Sequence, residues 1–157
     1  MSTRRKDGIV LHTAEEFEKM RVAGKLAAEC LDYITPYVQP GISTGELDDL
    51  CREFMTSRGA VPACLGYHGY PKSVCISINH VICHGIPDYE RKLLEGDALN
   101  IDVTAIVDGW YGDTSRMYFA GKPKIKAKRL CEVTYECMMR GIDAVKPGAR
   151  LGDIGAV

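Results

Sequence analysis

Apolar residues recur at Phe17, Met20, Ala23, Ala27, Cys30, Leu31 and Ile34, the spacing of one helix face. Thr13 stands just ahead as an N-cap and Glu16 follows three residues on, the reciprocal capping box. Pro36 and then Pro40-Gly41 stop the pattern. Ser43 and Glu46 repeat the box, which predicts a shorter helix turning Leu47, Leu50, Cys51, Phe54 and Met55 inward and ending near Gly59. The periodicity then changes. Leu65-Gly66-Tyr67-His68-Gly69-Tyr70-Pro71 reads as an irregular loop. Residues 73–84 are rich in β-branched and small side chains and predict a strand closed by Gly85-Ile86-Pro87. Residues 99–107 predict another strand, Asp108-Gly109 a two-residue turn, and residues 110–119 the returning strand. A third helix is expected from about residue 125 to residue 145, stopped by Pro147-Gly148.

A shift of 107 residues lays Pro40-Gly41 on Pro147-Gly148, Glu29-Cys30 on Glu136-Cys137 and Gly45 on Gly152. Each copy is a long helix, a Pro-Gly stop and the start of another helix. The pattern predicts one domain over 1–157, built from a first unit at about 13–121 and the start of a second at about 122–157.

Composition adds exclusions. With 46% hydrophobic and 26% charged residues the chain reads as globular. Its net charge of −1 gives no global pull toward DNA or an anionic membrane. No run approaches the ~18 apolar residues of a membrane span. The N-terminus, Met1 to Gly8, is basic but leads into an amphipathic pattern rather than a signal-peptide core. Seven cysteines without a Cys-x-x-Cys pair argue for free thiols in a reducing compartment, so a cytoplasmic location is expected.

The hairpin carries the candidate chemistry. A two-residue turn pairs Val107 with Trp110, Thr104 with Asp113 and Asp102 with Ser115. Asp102 and Asp113 then share a face, diagonally ~7–8 Å apart at most. Two carboxylates aimed at one point call for a cation or a proton between them, and a pair of divalent ions answers that need. The bland alternative is two solvated aspartates on an exposed sheet face, and a bulge would undo the geometry. Asp102 lies inside an apolar run, and Asp113 is followed by Thr114-Ser115, whose hydroxyls suit support of a ligand. His84 closes a strand; it is either a structural histidine or a group facing substrate or metal. His68 is ambiguous. Cys64, Tyr67, Tyr70 and Cys75 suit either core packing or a pocket for a flexible thioether side chain, since sulfur and aromatic edges attract. Lys122, Lys124, Lys126, Lys128 and Arg129 form a basic cluster, either a solvated helix start or a contact for ribosomal RNA.

These residues lie in long motifs. Residues 63–77, Val81-Ile82-Cys83-His84-Gly85-Ile86-Pro87, Asn100-Ile101-Asp102-Val103-Thr104 and Gly112-Asp113-Thr114-Ser115 together resemble the bacterial-type (type I) methionine aminopeptidases. The helices agree through Glu18 to Gly24 and Pro40 to Leu47, so the resemblance runs from about Thr13 onward.

The resemblance implies an α/β (α+β) fold of the pita-bread type, a pseudo-two-fold duplication, with one unit and the start of another present here. It implies two divalent metal ions (cobalt, manganese, iron or zinc), with Asp102 as a ligand and Asp113 bridging both. It implies that His84 contacts substrate in a catalytic role. It also implies that His84, Cys64, Tyr67, His68, Tyr70 and Cys75 bind the N-terminal Met of nascent polypeptides. The implied reaction is hydrolytic removal of the initiator methionine. The enzyme would work as a monomer when complete, without DNA or membrane partners, and the basic cluster is its candidate ribosome contact. The family's other ligands, one His and two Glu, have no counterpart before Val157. The expectation is therefore the N-terminal portion of such an enzyme, without turnover of its own. The rival expectations are a non-catalytic binding protein of the same fold and, less favoured by the Tyr-rich loop, an X-Pro peptidase.

Overall fold

The computed structural model describes Thr3, Arg4 and residues 8–157. Most of the basic N-terminal stretch, Met1 to Gly8, lies outside the described residues. The chain divides into two units, Met1–Gly121 and Lys122–Val157.

The first unit begins with a two-stranded ribbon of β1 (Thr3–Arg4) and β2 (Val10–Leu11). Helix α1 (Ala14–Ile34) starts at the expected capping box: Glu16 N–H donates to Thr13 Oγ1 at 3.3 Å, and Thr13 N–H donates to the Glu16 carboxylate at 2.8 Å. Helix α2 (Thr44–Thr56) starts in the same way at Ser43 and Glu46. Four antiparallel strands follow: β3 (Val61–Pro62), β4 (Cys75–Ile78), β5 (Ala98–Val107) and β6 (Trp110–Phe119). β6 pairs with β5 along its whole length, while β4 and β3 share the other edge of β5.

Side-chain alternation gives this sheet two different faces. Leu99, Ile101, Val103 and Ala105 are buried completely, in one cluster with Ala27, Leu31 and Ile34 of α1 and Leu47, Cys51 and Met55 of α2. Asn100, Asp102 and Thr104 point to the opposite face and are half-buried. Helix α1 lies directly on β6. A Cβ added to Gly112 would collide with the Ala23 carbonyl, so only glycine permits the approach. Farther along, the Tyr118 hydroxyl donates to the Leu31 carbonyl at 2.6 Å and Arg116 pairs with Asp32 at 2.7 Å.

Two expectations need correction. Phe17 and Met20 are half exposed, so the buried face of α1 starts at Ala23, where the helix meets Gly112. The strand expected over 73–84 is a ladder only from Cys75 to Ile78. Asn79 ends it in the left-handed region at φ 53°. Its side chain donates to Asp97 at 2.7 Å and accepts from the Ala98 N–H at 3.1 Å.

The second unit contains α3 (Ile125–Ala144) and α4 (Leu151–Ala156). Between them Gly148 adopts φ 91°. Asp153 accepts from the Arg150 N–H at 2.8 Å, and Ile154 packs near Gly141.

Candidate active site

The open face of the β5–β6 hairpin and the segment from Ala63 to Ile86 enclose a cleft of about 770 Å³. Cys64, Tyr67, His68, Tyr70, Cys75, His84, Asp102 and Asp113 all line it. The hairpin forms without a bulge. Val107 faces Trp110, Thr104 faces Asp113 and Asp102 faces Ser115. Asp108 and Gly109 take φ 48° and 81°, the left-handed pair of a type I′ turn. Asp113 is exposed and its Oδ1 accepts from the Thr104 hydroxyl at 2.9 Å. Asp102 is half-buried. Burial raises its carboxyl above the ordinary range, the negative charge of Asp113 adds to the rise, and His84 opposes it. A cation between the two carboxylates would relieve both effects. The donor set therefore fits a hard divalent ion in kind. It is incomplete in number: among the described residues no three His, Cys, Asp or Glu side chains gather into a metal-holding group.

The other wall is an irregular loop held in unusual backbone conformations. Gly66 and Gly69 have positive φ, and Tyr67–Gly69 makes a single 3₁₀ turn with His68 at φ 46°. The Tyr67 and His68 rings meet edge to face, 4.4 Å between centroids. Cys75 is buried on β4 directly opposite Asp102. Hydrogen bonding with the Cys64 thiol brings the Cys75 pKa down to about 6 against the opposing effect of burial, and Cys64 is raised in return. Tyr70 contributes its ring to the cleft. Its hydroxyl is already committed to the backbone, donating to the Val74 and Gly85 carbonyls at 3.1 Å each. His84 is exposed, at φ 54°. A residue other than glycine is uncommon in that region, though histidine enters it more readily than most.

The cleft also includes Thr104, Tyr111 and Ile86, which the sequence reading did not assign to it. Tyr111 lies two residues before Asp113 on β6 and so shares its face; the same alternation that paired the aspartates points to it. Ile86 gives no sequence signal, because its place depends on how residues 79–86 fold back. His12 lies outside the cleft, edge to face with Trp110 at 5.3 Å.

The model of metallopeptidase family M24 matches residues 18–157. The chain is 61% identical over 147 residues to a methionine aminopeptidase of Rickettsia prowazekii, covering 94% of this chain and 56% of that protein. A methionine aminopeptidase of Escherichia coli K12 is 58% identical over 149 residues, with the same coverage. The crystal structure of the Rickettsia prowazekii methionine aminopeptidase superposes with a TM-score of 0.90, over 92% of this chain and 58% of that one. The chain thus spans a little over half the length of the curated relatives it matches.

Proposed function

The chain belongs to metallopeptidase family M24, and we propose from that premise that it supplies the substrate-pocket unit of a metal-dependent methionine aminopeptidase. The observation that carries this reading is one cleft lined by two facing carboxylates, a histidine and a wall of sulfur and aromatic groups. The fold is the pita-bread fold of the family's aminopeptidases.

The residues divide the work by chemistry. Cys64, Tyr67, Tyr70 and Cys75 form an apolar wall that accepts a flexible thioether and offers sulfur–aromatic contact. The Tyr70 hydroxyl, held by the backbone, keeps its ring fixed as part of that wall. His68, edge to face with Tyr67, adds a polar group to the cleft lining. His84, in the cleft lining, would donate a hydrogen bond to the carbonyl of the bond being cleaved, stabilising the charge that grows there. Asp102 and Asp113 would hold two divalent ions, cobalt, manganese, iron or zinc, which when bound supply Lewis-acid polarisation and a more acidic water. Thr104 orients Asp113 toward the cleft through its 2.9 Å hydrogen bond. The substrate is the N-terminal methionine of nascent polypeptides. Lys122 to Arg129 would meet ribosomal RNA, and the cytoplasm is the place of action. Among the described residues no helix is long and apolar enough to cross a membrane.

Ligand selectivity tests this reading more directly than turnover, because Asp102 and Asp113 are only part of a metal's ligand set. Methionine amide, alanine amide and lysine amide are titrated calorimetrically into the chain with cobalt present. Selective binding of methionine amide supports the proposal. Equal binding of all three, or none, defeats it.

A further inference from the structure

Gly85, which follows His84, is gripped through both its N–H and its carbonyl. The Gly85 N–H donates to Ser77 Oγ at 3.1 Å. The Gly85 carbonyl accepts from the Ile76 N–H at 2.9 Å and from the Tyr70 hydroxyl at 3.1 Å. The approach is close enough that a Cβ at position 85 would collide with the Ile76 carbonyl. The gripping side is rigid: every residue of β4 is buried, and Ser77 is only 5% exposed. The gripped side is an exposed loop. Val81, Ile82, Cys83 and His84 all face solvent, Ile82 almost fully. His84 sits in the left-handed region, which residues other than glycine adopt infrequently. A serine on a fully buried strand is itself informative. A hydroxyl in that position is costly unless bonded, and the bond it accepts is the one from Gly85.

We propose that Ser77 and the Tyr70 hydroxyl are positioning residues for His84. Ser77 holds the 84–85 peptide through the Gly85 N–H and Tyr70 holds the next one through the Gly85 carbonyl, so together they lock Gly85 against β4 and hold the imidazole at the cleft. The role of His84 toward substrate rests on the reading above; the clamp is measurable without turnover.

The experiment uses the full chain and three variants, Ser77→Ala, Tyr70→Phe and Ser77→Thr. Two rates are followed by mass spectrometry: amide hydrogen exchange over residues 79–86, and modification of each histidine by diethylpyrocarbonate, with His12 as the internal standard. Loss of one hydrogen bond at Gly85 should speed exchange there by roughly tenfold. The His84 modification rate relative to His12 should change by a factor of about three or more in Ser77→Ala, and in the same direction in Tyr70→Phe. Ser77→Thr keeps the acceptor and should return both rates toward those of the unaltered chain. Faster exchange with unchanged His84 reactivity would show loop stabilisation alone and overturn the proposal. So would a Ser77→Thr variant that behaves like Ser77→Ala. If Ser77→Ala does not fold, Tyr70→Phe, which deletes a single oxygen, decides the matter. If His84 responds as expected while methionine selectivity is absent, the clamp stands and the aminopeptidase reading falls.

Discussion

At the scale of single residues, Asp113 and His84 should separate by what they hold. Asp113→Asn keeps the shape but removes a charge that the proposal assigns to both ions. Cobalt affinity should fall by at least the roughly 10–100-fold that loss of an outer partner costs. His84→Ala should leave cobalt affinity within about threefold and weaken methionine amide binding instead. Calorimetry on both variants checks the division; cobalt loss in His84→Ala would reverse the assignment. Asp48 makes a stability prediction. It is 2% exposed on α2, and its Oδ1 accepts from the Ser73 and Val74 N–H groups at 2.8 and 2.9 Å. Asp48→Ala orphans two buried donors and should cost about 2–4 kcal/mol in urea melts. Burial, its largest influence, raises the Asp48 carboxyl above its usual 3.8 despite those donors. The folded state therefore binds the proton more tightly than the unfolded one. The stabilisation is present at low pH and is lost as pH rises through the raised value. Asp48→Asn does not titrate, so its deficit against the unaltered chain should narrow from acid toward neutral pH; a widening gap would contradict this sign.

At the scale of elements, the contact between α1 and β6 is the most sensitive joint. Gly112→Ala forces a methyl into the Ala23 carbonyl, and backbone cannot swing aside as a side chain can. The cost should reach about 3 kcal/mol, the upper range for overpacking. Gly24 lies beside the same joint, yet a Cβ there meets nothing within 4 Å. Gly24→Ala should stabilise α1 by about 0.5–1 kcal/mol through helix propensity. Thermal melts of the pair check both signs, and a harmless Gly112→Ala would refute the close-packing account.

At the scale of the whole molecule, the second unit leaves an apolar stripe uncovered. Tyr135, Met138, Met139 and Ile142 recur at helical spacing on α3 and are between 39% and 63% exposed. Such a stripe promotes association in water. Sedimentation velocity should show concentration-dependent self-association of the chain, reduced in the double variant Met138→Glu/Ile142→Glu. Identical profiles for the two proteins would count against the stripe as its cause.

The sequence by itself determined the capped starts of α1 and α2, the hairpin and the shared face of Asp102 and Asp113. Each of these follows from local rules: a capping pair three residues apart, a turn dipeptide that sets the register, and a strict period of two. The motifs around Cys64, His84 and Asp102 carried the family resemblance as well. Tertiary contacts decided the rest. Phe17 and Met20 obey the helical period yet stay half exposed. The strand stops at Asn79 because Asp97 and Ala98, nearly twenty residues on, offer its side chain better partners. The Tyr70 hydroxyl is spent on two carbonyls, one of them fifteen residues away, and His84 is held left-handed beside one of them. Periodicity reports which face a side chain takes; only the folded chain reports what waits on that face, because those partners are brought together across sequence separations that no local pattern records.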